Sequence, residues 1–405
     1  MNKQCVIFIE SNTTGSGIEI IKKAKELGIV PIVLARDTKI YPKIMTLCEV
    51  LECETNCFET LLKNITDVKY NYELLGIMST SEYYIEMVSR VCTYFNLPSN
   101  QLETIELCRS KYELRQLLSS NGFEQPNFFI ANSIEIFKRK IEKINFPVVI
   151  KPVSESGSLN VKLCSCKEEA VQQASLILEK KMNVRNQKVN SAVLCEIFIE
   201  GEEYSVETFV QDGEIKCIGI TEKKVGGYPY FVETGHIFPA KLEGKIEKLI
   251  RETAVNALKL VGNNFGAMHT ELKLYRGKAY LIEINPRLAG GMIPQIVKNA
   301  IGIDLLENCL LSTCNLGLKL DPKSENISQI SFMIPSESGK LKEISFSDCL
   351  KEFQKTIVYQ IGKQVNIPQS SYDRLGYIIS TAANYEEISD HIKKIASGVK
   401  IKIEQ

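Results

Sequence analysis

The sequence predicts an α/β fold at its start that passes into an α+β arrangement, and three observations carry that expectation. Residues 1 to about 95 alternate apolar strand-like runs with segments of helical spacing, the pattern of a parallel sheet covered by helices. The middle segment "NSAVLCEIFIEGEEYSVETFVQDGEIKCIGITEKK" (190–224) shows apolar alternation broken by "EGEE" and "QDGE", two hairpin signals that imply antiparallel strands. "FGAMHTELKLYRGKAYLIEINPR" (265–287) reads as one more hairpin, behind a strongly amphipathic helix over 242–261.

Each element follows from local pattern. "CVIFIES" (5–11) is an apolar strand, and "SGIEIIKKAKELGI" (16–29) is a helix that stops at Gly28. "VPIVLARD" (30–37) is the second strand. "LLGIMSTSEYYIEMVSRVCTYF" (74–95) gives a strand, a Ser/Thr turn and an amphipathic helix. The loop "ESNTTGSG" (10–17) opens the first helix; it offers a helix N-terminus to an anion or is a plain strand–helix turn. It is neither a dinucleotide glycine fingerprint nor a Walker A loop, which disfavours hydride transfer on a nicotinamide. "NLPSN" (96–100) is a linker, followed by a single helix "ETIELCRSKYELRQLLSSNG" capped near Gly122. A helix over 133–143, the strand–loop–strand "FPVVIKPVSESGSLNVKLC" (146–164) and a helix over 168–182 come next. The tail, from about residue 325, holds further strands and a final helix, "NYEEISDHIKKIASG", that carries His391 at its surface.

Composition narrows the function. The chain has 405 residues, 44% hydrophobic and 24% charged, so a sizeable core over about three domains is expected. Lys plus Arg and Asp plus Glu are equal at 49 each, which provides no basic field for nucleic acid. No apolar run reaches the length of a membrane span. The start, "MNKQCVIFIE", has too short an apolar run for a signal peptide, so a cytoplasmic protein is expected. The thirteen cysteines are scattered and are read as reduced, mostly buried thiols. Cys164 and Cys166, and the loose group Cys48, Cys53 and Cys57, lack the paired spacing of a zinc site.

The chemistry gathers at "YLIEINPRLAGG" (280–291), where an apolar strand ends in an acid, an amide, a guanidinium and two glycines. A three-residue turn at Arg276–Gly277–Lys278 would pair Tyr275 with Ala279 and put Glu271 opposite Glu283. Directly opposed side chains lie roughly 4.5–5.5 Å apart at Cβ. Asn285, two residues on, shares their face. Two carboxylates and an amide oxygen so placed suit Mg²⁺ that takes its other ligands from phosphate. A solvated hairpin with surface acids is the alternative, disfavoured by the apolar neighbours. Lys151 ends the apolar strand "FPVVIK", and "VSESGS" beyond it, with Ser156, offers hydroxyls and backbone N–H groups to phosphate. Lys111 lies upstream on a helix. His236 is one of three histidines and would accept a proton from an attacking ammonium or anchor a carboxylate; His269 reads as structural or supporting.

The order Lys111, "VVIKP", "CEIFIEGEEYSVE", "HTELKL" and "LIEINPR" resembles the ATP-grasp superfamily over roughly residues 1–330. "FVETGHIFPA" (231–240) and "NPRLAGGMIPQIV" (285–297) are most similar to carboxylate–amine ligases of the L-amino-acid ligase type, related to the bacilysin-forming enzyme. The resemblance implies an N-terminal α/β pre-ATP-grasp domain over 1–97, an ATP-grasp small lobe over 98–188, a central lobe over 189–324 and a small α+β domain over 325–405. It implies ATP and Mg²⁺, with Mn²⁺ as a substitute, and an acyl phosphate that an amine converts to an amide. Lys111, Lys151 and Ser156 would contact phosphates; Glu196 to Ile199 would be the adenine hinge through backbone around Phe198 and Ile199. Glu203 would take the ribose hydroxyls, and Glu271, Glu283 and Asn285 the metal. Arg287 would face the transferred phosphoryl group as a stabiliser, since a guanidinium keeps its proton. Glu233 and His236 would lie at the amino-acid site, and Gly290 and Gly291 would offer N–H groups to the acyl oxygen. Amino-acid and amine substrates and a homodimer are the implied partners. A carrier-protein thiol, an amino sugar or ammonia as acceptor, and a nucleotide-binding protein without turnover, are the alternatives.

Overall fold

The computed structural model describes residues 3–13, 15–262 and 265–405. Thr14, in the loop after the first strand, lies outside the described residues. The N-terminal sheet has the order Glu49–Glu52, Val30–Ala35, Gln4–Ile9, Glu73–Met78, with every pair parallel. Its strands are near-continuous apolar runs because both faces are covered. One face packs on Leu61, Ile65, Val68 and Val91. The other packs on Ile20, Ile21 and Ala24, and on Leu310 from the much later helix Leu305–Thr313.

The helix expected over 103–122 is two helices, Leu102–Arg109 and Lys111–Ser120. Ser110 is the reason. Its hydroxyl accepts from the Glu113 N–H at 3.4 Å and starts a new helix, because a serine side chain competes with the helical ladder. The Lys111 N–H then donates to the Val153 carbonyl at 3.0 Å, tying this helix start to the Ser/Gly loop.

"EGEE" is not a hairpin. Strand Val193–Ile197 joins Phe128–Ala131 on one side and Val148–Pro152 on the other, with Lys162–Cys164 at the far edge. The chain then crosses into a different sheet, where Glu202–Gln211 begins. Gly201 is required at the crossing: its φ is +133°, and a Cβ there would sit 2.2 Å from the Leu274 carbonyl oxygen. "QDGE" does form the expected hairpin, pairing Glu202–Gln211 with Glu214–Gly226 across Asp212 and Gly213.

The central sheet has eight strands in the order Lys278–Asn285, Gly266–Tyr275, Glu202–Gln211, Glu214–Gly226, Val232–Phe238, Ile327–Met333, Gly376–Ala382, Gln354–Ile357. Helix Gly244–Val261 covers one side, with Ile250, Ala254, Ala257 and Leu258 buried. Gly339–Phe346, Gln364–Val365 and Val399–Glu404 make a small antiparallel sheet, and helix Tyr385–Gly398 packs its Ile388 and Ile395 on Ile327, Ile378 and Ala382 of the central sheet. His391 on that helix is half-buried, its ring 4.7 Å from that of Phe353, rather than at the surface. Among the described residues no helix is long and apolar enough to cross a membrane. All thirteen cysteines are free thiols.

Candidate active site

The Lys278–Asn285 hairpin reaches the expected pairing by an unexpected route. Its turn has two residues, Arg276 (φ 48°) and Gly277 (φ 73°), so Tyr275 pairs with Lys278 and not with Ala279. Two positive φ values at the centre mark the tight turn that matches strand twist. That register alone would not oppose Glu271 and Glu283. A bulge at Ile282 adds one residue to the second strand, and from there Glu271 pairs with Glu283 and His269 with Asn285.

Across the neighbouring strands the registers run Thr221–Ser205–Glu271–Glu283 and Lys223–Glu203–Lys273. Alternate residues share a face, so these rows build one polar floor on the sheet. A second bulge, at Thr234, performs the same service for strand Val232–Phe238. His236 pairs with Lys223 and Glu233 with Val225, which brings Glu233 and His236 to one face although they are three positions apart.

Lys223 is the charge that sequence spacing missed. Its ammonium is buried and lies 3.0 Å from Glu203, 3.2 Å from Glu233 and 3.0 Å from Glu271. Burial would lower its pKa, but the three carboxylates, Glu271 first, hold it well above the usual lysine range. Glu271 also takes His269 Nε2 at 2.9 Å, while His269 Nδ1 lies 3.0 Å from Glu207. Burial opposes the charge on His269; Glu207 and then Glu271 override it and raise its pKa to about 9. His269 is thus a buried imidazolium between two acids, a supporting position. Glu283 is held by Lys111 at 3.2 Å.

The other lysine of the pair is bound within the four-stranded sheet, where strand Val193–Ile197, expected in the central lobe, pairs beside Val148–Pro152. Lys151 Nζ lies 2.6 Å from Glu196, whose second oxygen is 2.5 Å from Arg115 Nε. Burial would raise the Glu196 pKa; Arg115 and Lys151 bring it down to about 2. Lys151 itself is lowered by burial against the pull of Glu196. The Ser/Gly loop is held by residues from the N-terminal sheet's last turn, from helix Lys111–Ser120 and from the C-terminal region. Lys111 donates to the Glu155 carbonyl at 2.9 Å, Tyr83 hydroxyl to the Glu155 carboxylate at 3.0 Å, and Ser156 hydroxyl to Glu82 at 2.8 Å. The Ser371 N–H donates to the Gly157 carbonyl at 3.3 Å.

Arg287 follows strand Lys278–Asn285 and is bound by Glu82: Nε donates at 2.9 Å and a terminal nitrogen bonds the same oxygen. Gly290 and Gly291 follow after Leu288 and Ala289 and precede Met292, the N-cap of helix Ile293–Ile301, so an anion beside them also meets a helix N-terminus. Gly291 has φ +57°, and a Cβ on it would stand 2.6 Å from His236 Nε2 and 3.5 Å from Glu233. His236 is 1% exposed, and neither ring nitrogen has a hydrogen-bond partner. Burial, with help from Lys223 and Arg374 and against Glu233, lowers its pKa to about 4, so it is neutral at pH 7. Glu233 lies 3.8 Å from it and takes Arg374 at 3.1 Å. Arg374 comes from the C-terminal region, with its guanidinium 3.8 Å from the Phe332 ring centroid.

At the far end, Phe198 packs with Tyr228 and Phe231, and the Lys273 ammonium lies 4.7 Å from the Phe198 ring centroid. The Phe198 N–H donates to the Pro147 carbonyl at 3.0 Å, and Lys273 donates to the Ile199 carbonyl at 3.2 Å. One cavity of about 1490 Å³ is lined by the residues predicted for the site except His236, which is buried behind Glu233 and Gly291 instead of facing the cavity.

The donor set fits Mg²⁺ bound jointly with phosphate. Among the described residues no three His, Cys, Asp or Glu side chains converge as a closed cage. Glu271 and Glu283 with the Asn285 amide leave most positions to other oxygens, as Mg²⁺ requires beside a nucleotide. Sequence spacing had no means to reveal Lys223, Lys273, Arg115, Glu82 or Arg374. Each lies on an element whose neighbours are fixed only by the tertiary fold.

Comparisons with known proteins agree with this geometry. Residues 144–295 match the ATP-grasp domain model, and residues 331–404 match L-amino acid ligase C-terminal domain 2. The chain thus carries a match to an ATP-grasp domain followed by a match to an L-amino acid ligase C-terminal domain. It is 28% identical over 275 residues to alanine–anticapsin ligase of Bacillus subtilis (strain 168), covering 63% of this chain and 57% of that protein. It is 24% identical over 328 residues to the L-arginine-specific L-amino acid ligase of Bacillus subtilis, covering 77% and 76%. The crystal structure of L-amino acid ligase from Bacillus licheniformis superposes with TM-score 0.83 at 21% identity over 100% of both chains, a shared fold.

Proposed function

We propose that the protein is an ATP-dependent ligase that joins an amino-acid carboxylate to an amine through an acyl phosphate, releasing ADP and phosphate. The observation that carries this is the cross-strand pair Glu271–Glu283, held beside Lys111 and one turn of chain from Arg287, Gly290 and Gly291. The ATP-grasp match and the ligases among the relatives support it.

In this mechanism Lys111, Lys151 and Ser156 hold phosphate oxygens, and Glu203 accepts from the ribose. The Phe198 carbonyl and the Ile199 N–H serve adenine, their neighbouring backbone groups being already used. Mg²⁺ held by Glu271, Glu283 and Asn285 would neutralise charge on the transferred phosphoryl group. Arg287 stabilises negative charge that develops as the carboxylate attacks phosphorus. Glu233 anchors an ammonium, and neutral His236 supports Glu233 and Gly291 from the side away from the cavity. The Gly290 and Gly291 backbone approaches the reacting carbonyl because neither carries a side chain. Water must stay out of the site while the acyl phosphate exists, and the latched Ser/Gly loop provides that cover. An enzyme that consumes ATP in this way belongs in the cytoplasm.

The test is nucleotide analysis after incubation with Mg-ATP and pairs of amino acids. ADP and phosphate that appear only with particular pairs, together with an amide product by mass spectrometry, are expected. AMP and pyrophosphate would mean adenylation and would overturn the proposal.

A further inference from the structure

In the ligase reading, on which this inference rests, four acids of the polar floor face ligands: Glu203 the ribose, Glu233 an ammonium, and Glu271 and Glu283 the metal. Lys223 takes Oε1 of Glu203, Glu233 and Glu271. Its side chain is 3% exposed, and an ammonium has three N–H donors, so none is left to turn to a phosphate. Lys111 differs, since it divides its donors between Glu283 and the Glu155 carbonyl and can exchange either for a phosphate oxygen. Glu271 Oε1 also takes His269 Nε2, which leaves Oε2 as the oxygen for a metal. Charge then decides what the floor can hold. Among the described residues the ion-pair partners of the four acids are Lys223, Lys111, Arg374 and two histidines. His269 is balanced by Glu207, and His236 is neutral. One negative charge stays unmatched, and a bare divalent ion overshoots it.

We propose that Lys223 is a resident cation that positions Glu271 and keeps these acids from holding a free divalent ion, so that the ion is held only together with nucleotide phosphates. Mg²⁺ dehydrates reluctantly and is bound by one or two carboxylates plus phosphate oxygens. The phosphates bring the negative charge that the floor lacks, and they draw Lys111 off Glu283 in the same step. Lys223 stays, because all its donors are committed to carboxylates. Without Lys223 two negative charges would be unmatched, the charge of one divalent ion, and Glu271 would keep His269 as its sole cation. Lys223 acts through Glu271 and is a positioning residue.

The experiment titrates Mn²⁺, a paramagnetic probe, into wild type, Lys223→Met, Lys223→Arg and the double variant K223M/E271Q, each with and without ADP. Protein-bound Mn²⁺ is read by the enhancement of water-proton relaxation. Wild type is expected to bind Mn²⁺ tightly only with ADP. K223M is expected to bind it without nucleotide at least about tenfold more tightly than wild type, since a unit charge a few ångströms from a divalent ion outweighs a decade of affinity even at protein dielectric. K223R keeps the charge and should behave as wild type, and E271Q should cancel the gain. Buried acids that lose their cation destabilise the fold, so thermal melts read the same claim: Mn²⁺ alone should raise the melting temperature of K223M and leave that of wild type unchanged. ADP-dependent binding in wild type with no gain in K223M by either readout would make Lys223 a structural ion pair and overturn this inference alone. Tight binding by wild type without ADP, or a gain that survives E271Q, would do the same. Wild type that binds no Mn²⁺ with ADP would overturn the ligase reading and this inference with it.

Discussion

Replacing Glu196 by glutamine removes the one carboxylate that separates two buried cations, Lys151 and Arg115. The magnitude follows from linkage. The Glu196 pKa is about 2 against an ordinary 4.5, a depression of roughly 2.5 units. At about 1.36 kcal/mol per unit this is about 3 kcal/mol of stability at pH 7. Glu196 is only 4% exposed, so solvent screening takes little from that figure. Truncating one partner of a buried pair costs about 3–5 kcal/mol by independent measurements, which agrees. The sign fixes the pH dependence. A depressed carboxylate stabilises fully above its unfolded pKa and loses that contribution as pH falls toward its folded pKa. The difference between wild type and E196Q should be about 3 kcal/mol at pH 7 and about 2 kcal/mol at pH 3.5. Urea unfolding of both proteins at the two pH values measures it. A difference below about 1 kcal/mol at pH 7, or one that grows on acidification, would refute the reasoning.

Other substitutions address the reaction itself. Glu283→Ala removes a metal-side carboxylate and the partner of Lys111, so turnover should vanish while the melting profile stays cooperative; near-normal ADP release would remove the metal assignment. Arg287→Ala should lower kcat far more than it raises the KM for ATP, because its contact to phosphoryl strengthens in the transition state; a change in ATP KM alone would contradict that role. Gly291→Ala drives a methyl to within 2.6 Å of His236 Nε2 at φ +57°, and alanine in that conformation costs about 1–2 kcal/mol before the clash. Amino-acid KM should rise at least tenfold, by the order expected from 1.4 kcal/mol per decade, with ATP KM little changed; equal kinetics to wild type would mean that this backbone does not face substrate. Arg374→Ala frees Glu233 from its C-terminal partner and should raise the amino-acid KM selectively, with partial recovery in Arg374→Lys. Loss of ATP binding instead would make Arg374 a general support for the fold.

Local pattern carried much of this protein, and its failures have physical causes. The parallel N-terminal sheet was legible because both-face burial writes continuous apolar runs such as "CVIFI" into the chain. The pairing of Glu271 with Glu283 was anticipated with a three-residue turn and a regular ladder, but it arises from a two-residue turn and a bulge at Ile282. Two one-residue errors cancelled, since period-two alternation reports a face and not a bulge. Ser110 was read through as helix because the flanking periodicity barely changes, although its hydroxyl ends one helix and caps the next. "EGEE" has turn residues, but whether a turn reverses the chain within a sheet or carries it to another depends on partners remote in sequence. Lys223, Glu82 and Arg374 escaped for that same reason: each meets its charges only after separate strands and loops have been brought together.

The central claim is an acyl phosphate, and the direct measurement is isotope transfer. The carboxylate-donor amino acid is labelled with ¹⁸O in both carboxyl oxygens and turned over with unlabelled ATP, Mg²⁺ and an acceptor amine, and the phosphorus products are read by mass spectrometry. The account predicts one ¹⁸O in each inorganic phosphate released, with none in the nucleotide. Label in AMP, or unlabelled phosphate alongside amide product, would contradict it.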